Sequence, residues 1–274
     1  MNAIPTDDEL MTVLIARELR NGELAVTGAS SLVPVAACLL AQQMHAPDLT
    51  LILPSGVVNP RAGRLYRSAS DGRWVPGAEA VGSGYDLFEM SENGRLDVMF
   101  YGGVQIDKHG NVNLTATGLG SGPGPAFRGP GLANTSFAVV SGRIILFSSS
   151  HTPRTFVDQV DYLTAAGHLE GGTSRAEAGI TTAGPVVCVT PLVSFDFDEE
   201  HRMRVRSVHS GVSDEEVIAR TGFDLRSNSP WPRTKPPTAD ELWTLRHVVD
   251  GTGELRAARR SPARETITST RRKV

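Results

Sequence analysis

Between Thr6 and Leu53 the hydrophobic pattern alternates twice between a helical and an extended period, and this restricts the fold more than any other feature of the chain. Thr6-Asp7-Asp8-Glu9 has the form of a capping box, with Thr6 as N-cap and Glu9 three residues on. Met11, Ile15 and Leu19 recur every four residues beside Leu10 and Leu14, which predicts an amphipathic helix ending at Asn21-Gly22. Glu23 to Thr27 reads as a short strand, Gly28 as a turn, and Ser30 or Ser31 as the cap of a second helix. That helix carries Leu32, Val35, Ala36, Leu39, Leu40 and Met44 on one face, and Pro34 falls in its first turn, where a missing N–H costs little. After Ala46-Pro47-Asp48 comes a second strand, Leu49 to Leu53. Helix, strand, helix, strand at such short spacings predicts a parallel sheet with crossover helices.

The stretch Asp97–Asn113 carries the middle of the chain. An apolar run (Val98, Met99, Phe100) enters Gly102-Gly103, a second run (Val104, Ile106) follows, and Asp107-Lys108-His109-Gly110 turns the chain back through Asn111-Val112-Asn113. Short apolar runs bounded by turn residues read as buried strands. A glycine pair inside one marks a bulge or a close approach to the backbone, and by itself describes only a bent strand. Pro54 to Gly84 is loop-rich, and a loop of that length tends to be functional or interface-forming. Thr115 to Gly131 is again glycine-rich. Further strands are predicted at Phe137–Val140, Arg143–Phe147 and Val186–Val189, then a hairpin of Phe195–Phe197 and Met203–Val208 turning at Asp198-Glu199-Glu200-His201. Ser213–Glu216 and Thr238–Glu241 cap two last helices. Residues 1–255 are read as one α/β domain, and 256–274 as a basic, disordered tail.

With 274 residues, 40% hydrophobic and 21% charged, the chain has the composition of a soluble enzyme-like protein. A net charge of −3 gives no field that would favour nucleic acid. There is no run of eighteen apolar residues, so no membrane partner is expected. The opening MNAIPTDDEL shows no signal segment, which makes a cytoplasmic protein the expectation. Cys38 and Cys188 sit in apolar runs and read as buried free thiols. Seven scattered histidines form no metal motif. Gly118-Leu119-Gly120-Ser121-Gly122 lacks the GxGxxG frame and no helical pattern follows it, while GxxxxGK[ST] is missing altogether. Ser91-Glu92-Asn93-Gly94, an element that supplies the covalent glutamate in some CoA transferases, here reads as a polar turn before the central strand.

GGVQIDKHGNVN, together with the later FRGPGLAN, VDYLT and TGFD segments, resembles the β subunits of family I CoA transferases, the glutaconate CoA-transferase β subunit in particular. The likeness runs in order from about residue 7 to residue 255. It implies an α/β, doubly wound, mainly parallel fold of the CoA-transferase-like type. It also implies a homologous α subunit as partner, in an αβ or (αβ)2 assembly with the acyl-CoA site at the subunit interface. Coenzyme A then belongs to the substrate, and no permanently bound cofactor is expected. The family's chemistry uses a Glu nucleophile that forms an anhydride and then a glutamyl-CoA thioester, with backbone N–H donors around the oxyanion. Those donors correspond here to Gly102-Gly103 and to Arg128-Gly129-Pro130-Gly131, a segment closed by Asn134, with the Gln105 side chain as an added donor.

One departure from the family pattern decides the expected chemistry. The nucleophilic Glu should end the second strand directly before Ser-Gly, and this chain has Pro54-Ser55-Gly56 there. Proline has no charge, no nucleophile and no N–H. Branches of the superfamily that lack the Glu act on CoA thioesters in other ways, and the steroid ring-cleaving hydrolases resemble this chain in having Arg before the glycine loop. The resemblance therefore implies, first, hydrolytic C–C cleavage of a cyclic or β-keto acyl-CoA, with Arg128 and Gln105 as catalytic groups. Pro54, Ser55, Gly56, Gly102, Gly103, Gly129, Gly131 and Asn134 would bind the thioester, and the base would come from the partner. Decarboxylation of a glutaconyl-type CoA comes second and true CoA transfer third. The non-enzymatic alternative is a CoA-binding scaffold subunit, and for Arg128 the plain alternative is an interface salt bridge.

Overall fold

Parallel pairing organises the chain in the computed structural model, which describes residues 4–119, 124–225 and 229–257. Its strands are Leu24–Val26 (β1), Thr50–Ile52 (β2), Val57–Val58 (β3), Ala80–Val81 (β4), Val98–Tyr101 (β5), Gln105–Asp107 (β6), Val112–Asn113 (β7), Ala116–Thr117 (β8), Phe127–Arg128 (β9), Arg143–Phe147 (β10), Phe156–Val157 (β11), Pro185–Val189 (β12), Val193–Phe197 (β13) and Met203–Val208 (β14). Its α-helices are Asp7–Ala16 (α1), Leu32–Met44 (α2), Gly84–Glu92 (α3), Phe137–Val140 (α4), Ser174–Glu177 (α5), Asp214–Arg220 (α6), Ala239–Thr244 (α7, continued by a π turn to Val249) and Glu254–Ala257 (α8). The main sheet runs β14-β13-β12-β10-β5-β1-β2-β3-β4. The block β12-β10-β5-β1-β2 is parallel, and antiparallel strands extend it at both ends. This is the expected α/β fold, but the sheet is mixed, parallel in its centre and antiparallel at both ends, where a mainly parallel one was expected.

Alternate residues of the central strands serve two cores, as the pleat requires. Ala25, Val98, Phe100, Ile145, Val187 and Val189 pack with α1 and α2 on one face. Val26, Met99, Tyr101, Ile144, Leu146 and Cys188 pack on the other with Phe137, Phe156 and Phe195. The Thr6 capping box forms as read, and Glu9 also takes an ion pair from Arg246 at 2.7 Å, which ties α1 to the C-terminal helices. Arg143 at the start of β10 pairs with Glu23 at 2.7 Å before β1. Both cysteines are buried and free.

The structure corrects the reading of Phe137–Val140, which is the one-turn helix α4 and not a strand. The N–H groups of Phe137, Ala138 and Val139 donate to Asn134, Thr135 and Ser136, so the bonds stay within the segment; an apolar run this short does not distinguish the two by period. The loop-rich stretch before Gly84 holds β3, β4 and a 3-10 turn, and α3 follows it, taking in Ser91 and Glu92 of the segment read as a polar turn between helix and strand. That helix starts on a Ser83–Asp86 capping box but buries only Leu87 and Ser91, too few for a periodic signal. Of the basic tail, only Arg256 and Ala257 fall within the described residues, as does the Gly118-Leu119 half of the Gly118–Gly122 run.

Three buried imidazoles sit in the second core and its margin. His151 stacks on Phe156 at 4.3 Å between the Thr190 and Thr221 hydroxyls, and burial pushes its pKa down to about 3. Burial likewise lowers His168 to about 4 and lowers His209. Below about pH 6.5 the unfolded chain takes up protons that these folded sites refuse, so stability falls with pH by up to about 1.4 kcal/mol per unit for each histidine. Denaturant midpoints should therefore decline from pH 6.5 to 4.5, and less steeply in His151→Gln. Parallel profiles for the two proteins would contradict this account.

Candidate active site

In an open parallel sheet, ligands bind beyond the carboxyl ends of the strands where strand order reverses. Here the order reverses at β1, flanked by β2 on one side and β5 on the other. A cavity of about 730 Å³ opens at that point. Its wall is built from the residues that leave each strand: Thr27–Ser31 after β1, Pro54 after β2, Gly102–Val104 after β5, and Ser148-Ser149 after β10. Leu87 and Phe88 of α3 and the Pro130–Asn134 segment complete it.

Glycine permits the close approaches around this cavity. A Cβ on Gly102 would stand 2.8 Å from the Phe147 carbonyl oxygen; one on Gly103 would stand 2.5 Å from that of Asn113 and 2.6 Å from Val112 Cγ1. The pair thus lets β5 pass against β10 and the β6–β7 hairpin. What comes close to it is this chain's own backbone. Gly56 has φ +82°, and a Cβ there would overlap the Gly82 carbonyl, which confines that position to the β2–β3 turn.

The structure sorts the predicted site residues into two groups. Pro54, Gly102, Gly103, Gly131 and Asn134 meet at the cavity wall. Asn134 is fixed by the buried Tyr101, whose hydroxyl donates to its carbonyl at 2.7 Å; burial raises the Tyr101 pKa and keeps it protonated. Ser55, Gly56, Gly129, Gln105 and Arg128 lie outside the wall. Gln105 Oε1 accepts from Asn113 Nδ2 at 2.7 Å and from the Asp161 N–H at 3.0 Å, so it braces the β6–β7 hairpin. The N–H groups of Gly129 and Gly131 donate to the carbonyls of Thr115 (2.8 Å) and Leu114 (2.9 Å), which occupies the donors expected for an oxyanion. Arg128 is exposed on β9, paired with β8 opposite Ala116. The sequence reading missed the Thr27–Ser31 turn and Phe88 as wall residues. For the turn, the available signal was a strand running through glycine into a helix.

Among the described residues, the wall contains no Asp, Glu, His, Lys, Arg or Cys. Its serine and threonine hydroxyls (Thr27, Ser30, Ser31, Ser70, Ser148, Ser149) have no imidazole or carboxylate beside them in the wall, so none is activated as a nucleophile. A smaller hollow of about 270 Å³ lies at the Lys108–Gly110 turn. Three of its charged groups are engaged: Lys108 with Asp158 at 2.7 Å, and Asp107 with the N–H groups of His109 and Asn111.

The sequence profile of the Coenzyme A transferase family matches residues 9–220. The chain is 34% identical to the B-type subunit of 3-oxoadipate CoA-transferase from Pseudomonas knackmussii over 90% of its own length and 94% of that protein's. It is 32% identical to the B-type subunit of glutaconate CoA-transferase from Acidaminococcus fermentans, covering 80% and 84%. To the cholesterol ring-cleaving hydrolase IpdB subunit of Rhodococcus jostii it is 26% identical, covering 84% and 86%. Among solved structures, glutaconate coenzyme A-transferase from Acidaminococcus fermentans superposes with a TM-score of 0.82 at 27% identity, covering 92% and 97%. The decarboxylase AibA/AibB superposes with 0.79 at 26% identity, covering 92% and 98%.

The packing makes two substitutions diagnostic. Gly103→Ala should cost about 1–3 kcal/mol, because the added methyl meets a backbone carbonyl that cannot rotate away. Arg128→Ala should leave stability within about 0.5 kcal/mol. Urea titration of both variants checks this, and an unaffected Gly103→Ala protein would show that the β5 exit is loosely packed.

Proposed function

This chain belongs to the coenzyme A transferase family as a β-type enzyme subunit acting on acyl-CoA, and we propose that it does so without a covalent enzyme–CoA link of its own. The observation that carries the reading is Pro54, which stands in the cavity wall at the tip of β2, where the family pattern calls for a carboxylate. No other described wall residue supplies a nucleophile. The reaction proposed is decarboxylation of the CoA thioester of a short unsaturated dicarboxylic acid, in a complex with an α-type subunit.

The cavity's chemistry supports this choice. Transfer needs a carboxylate nucleophile, and hydrolytic C–C cleavage needs a base to activate water; the described wall of this chain offers neither. Decarboxylation needs neither from it. The C–C bond to the carboxylate breaks, CO2 leaves, and the electron pair passes into the conjugated thioester until water returns a proton at carbon. An uncharged, largely apolar wall disfavours the localised carboxylate more than the charge-dispersed transition state. The likeness to the decarboxylase AibA/AibB supports the same reading. A second reading, CoA transfer with the carboxylate provided by the partner subunit, is favoured by the two relatives above 30% identity, both named CoA-transferases. The hydrolytic cleavage that the sequence put first now stands behind both, because the described wall offers no base to activate water.

The complex with its α-type subunit, given glutaconyl-CoA, should release one CO2 per thioester consumed and should resist inactivation by borohydride and hydroxylamine. CoA appearing on an added acetate acceptor, with inactivation by borohydride, would replace this reading with transfer. Pro54→Glu should make the complex sensitive to borohydride in the presence of acyl-CoA, since it returns a carboxylate to the tip of β2.

A further inference from the structure

The cavity has two unlike sides, because the sheet edge on which it opens runs between two cores. Ser30 and Ser31 lead into α2, and Ser70 follows Ala69; α2 and Ala69 belong to the first core, and these three hydroxyls border the cavity on its side. Phe100 and Phe147 add apolar surface there. Val26, Leu87, Met99, Tyr101 and Phe137 belong to the second core, Leu132 packs against it, and all six border the cavity on the other side. The one polar group among their side chains, the Tyr101 hydroxyl, donates to the Asn134 carbonyl at 2.7 Å.

Phe88 completes the apolar side. It follows Leu87 on α3, and its ring lies 5.0 Å from that of Phe137, tilted by 58°. Among the described residues it is the most open of the large apolar side chains in the wall, 42% exposed where Leu87 and Phe137 are buried. The helix itself is held by its Ser83–Asp86 capping box and by the buried Leu87 and Ser91, so its position does not depend on this ring. An acyl-CoA is two-sided in the same way. Its pantetheine arm carries amides and a hydroxyl, which lose free energy where no hydrogen bonds are offered, whereas acyl carbons gain it from apolar contact.

We infer that the second-core side of the cavity receives the acyl chain and that Phe88 limits the length of chain it accepts. The pantetheine arm then lies along the hydroxyl side. The inference rests on the acyl-CoA reading above but not on which bond is broken, since the ring acts by filling space and forms no bond to the substrate. For a diacid this side sets the far carboxylate against aromatic carbon, the surroundings that loss of CO2 calls for.

The test measures, by calorimetry, the binding of CoA, butyryl-CoA and octanoyl-CoA to the complex with its α-type subunit. None of these probes has a carboxylate to lose, so they report the site even if CO2 release fails. Phe88→Ala should move the ratio of octanoyl-CoA to butyryl-CoA affinity about tenfold toward the longer chain. Phe88→Trp should move it the other way, and CoA itself should bind all three complexes equally. Size-exclusion chromatography should show each complex intact. Equal ratios in the three complexes, a loss of CoA affinity in Phe88→Ala, or dissociation of that variant from the α-type subunit would overturn the assignment. An unmodified complex that binds neither CoA nor its thioesters would instead overturn the acyl-CoA reading on which the assignment rests.

Discussion

The parallel ladder of β2, β1, β5, β10 and β12 is the constraint on which the rest of the molecule depends. Because these strands point the same way, their carboxyl ends share one edge, and every loop that could meet a ligand is delivered there. Because the sheet is covered on both faces, each strand needs apolar residues on both sides, and the two cores divide them residue by residue. The cavity follows from this arrangement. Crossovers on either side of β1 leave the sheet in opposite directions, and no described helix fills the gap between them.

Charge is handled differently inside and outside that gap. Away from it, two acids are paired with arginine: the buried Glu9 with Arg246 and the half-buried Glu23 with Arg143. Burial raises the Glu9 pKa while the Arg246 hydrogen bond lowers it, and the net result lies below the ordinary value. The described cavity wall instead carries no formal charge, only hydroxyls, amides and apolar side chains. Such a site takes a neutral thioester without holding a carboxylate tightly. That distinguishes it from a wall carrying a glutamate, where the acid itself is the reactant.

The glycines carry a second lesson about sites. Gly102-Gly103 and the Arg128–Gly131 segment looked like donor loops, and both press against the chain's own backbone while Gly102, Gly103 and Gly131 also border the cavity. Gly103 is pressed against Asn113 and Val112, and the Gly129 and Gly131 N–H groups are closed onto Thr115 and Leu114. Glycine at a close approach is compatible with a ligand or with the chain's own backbone, and sequence does not distinguish the two.

Local signals were strong enough to be read from the residues alone: the Thr6 capping box, the alternation through Leu53, the β13–β14 hairpin, and the proline where the family keeps an acid. Each depends on residues within a turn or two of one another. The sequence by itself therefore determined the layered α/β architecture, the family and the proline that follows the second core strand. Tertiary structure alone decided that Phe137–Val140 is a helical turn, that α3 walls the cavity with Phe88, that Arg128 and Gln105 stand away from it, and that the turn after β1 reaches it. Those outcomes depend on which backbone groups meet across distant segments, and hydrogen bonds and contacts of that range leave no periodic trace in the residues that make them.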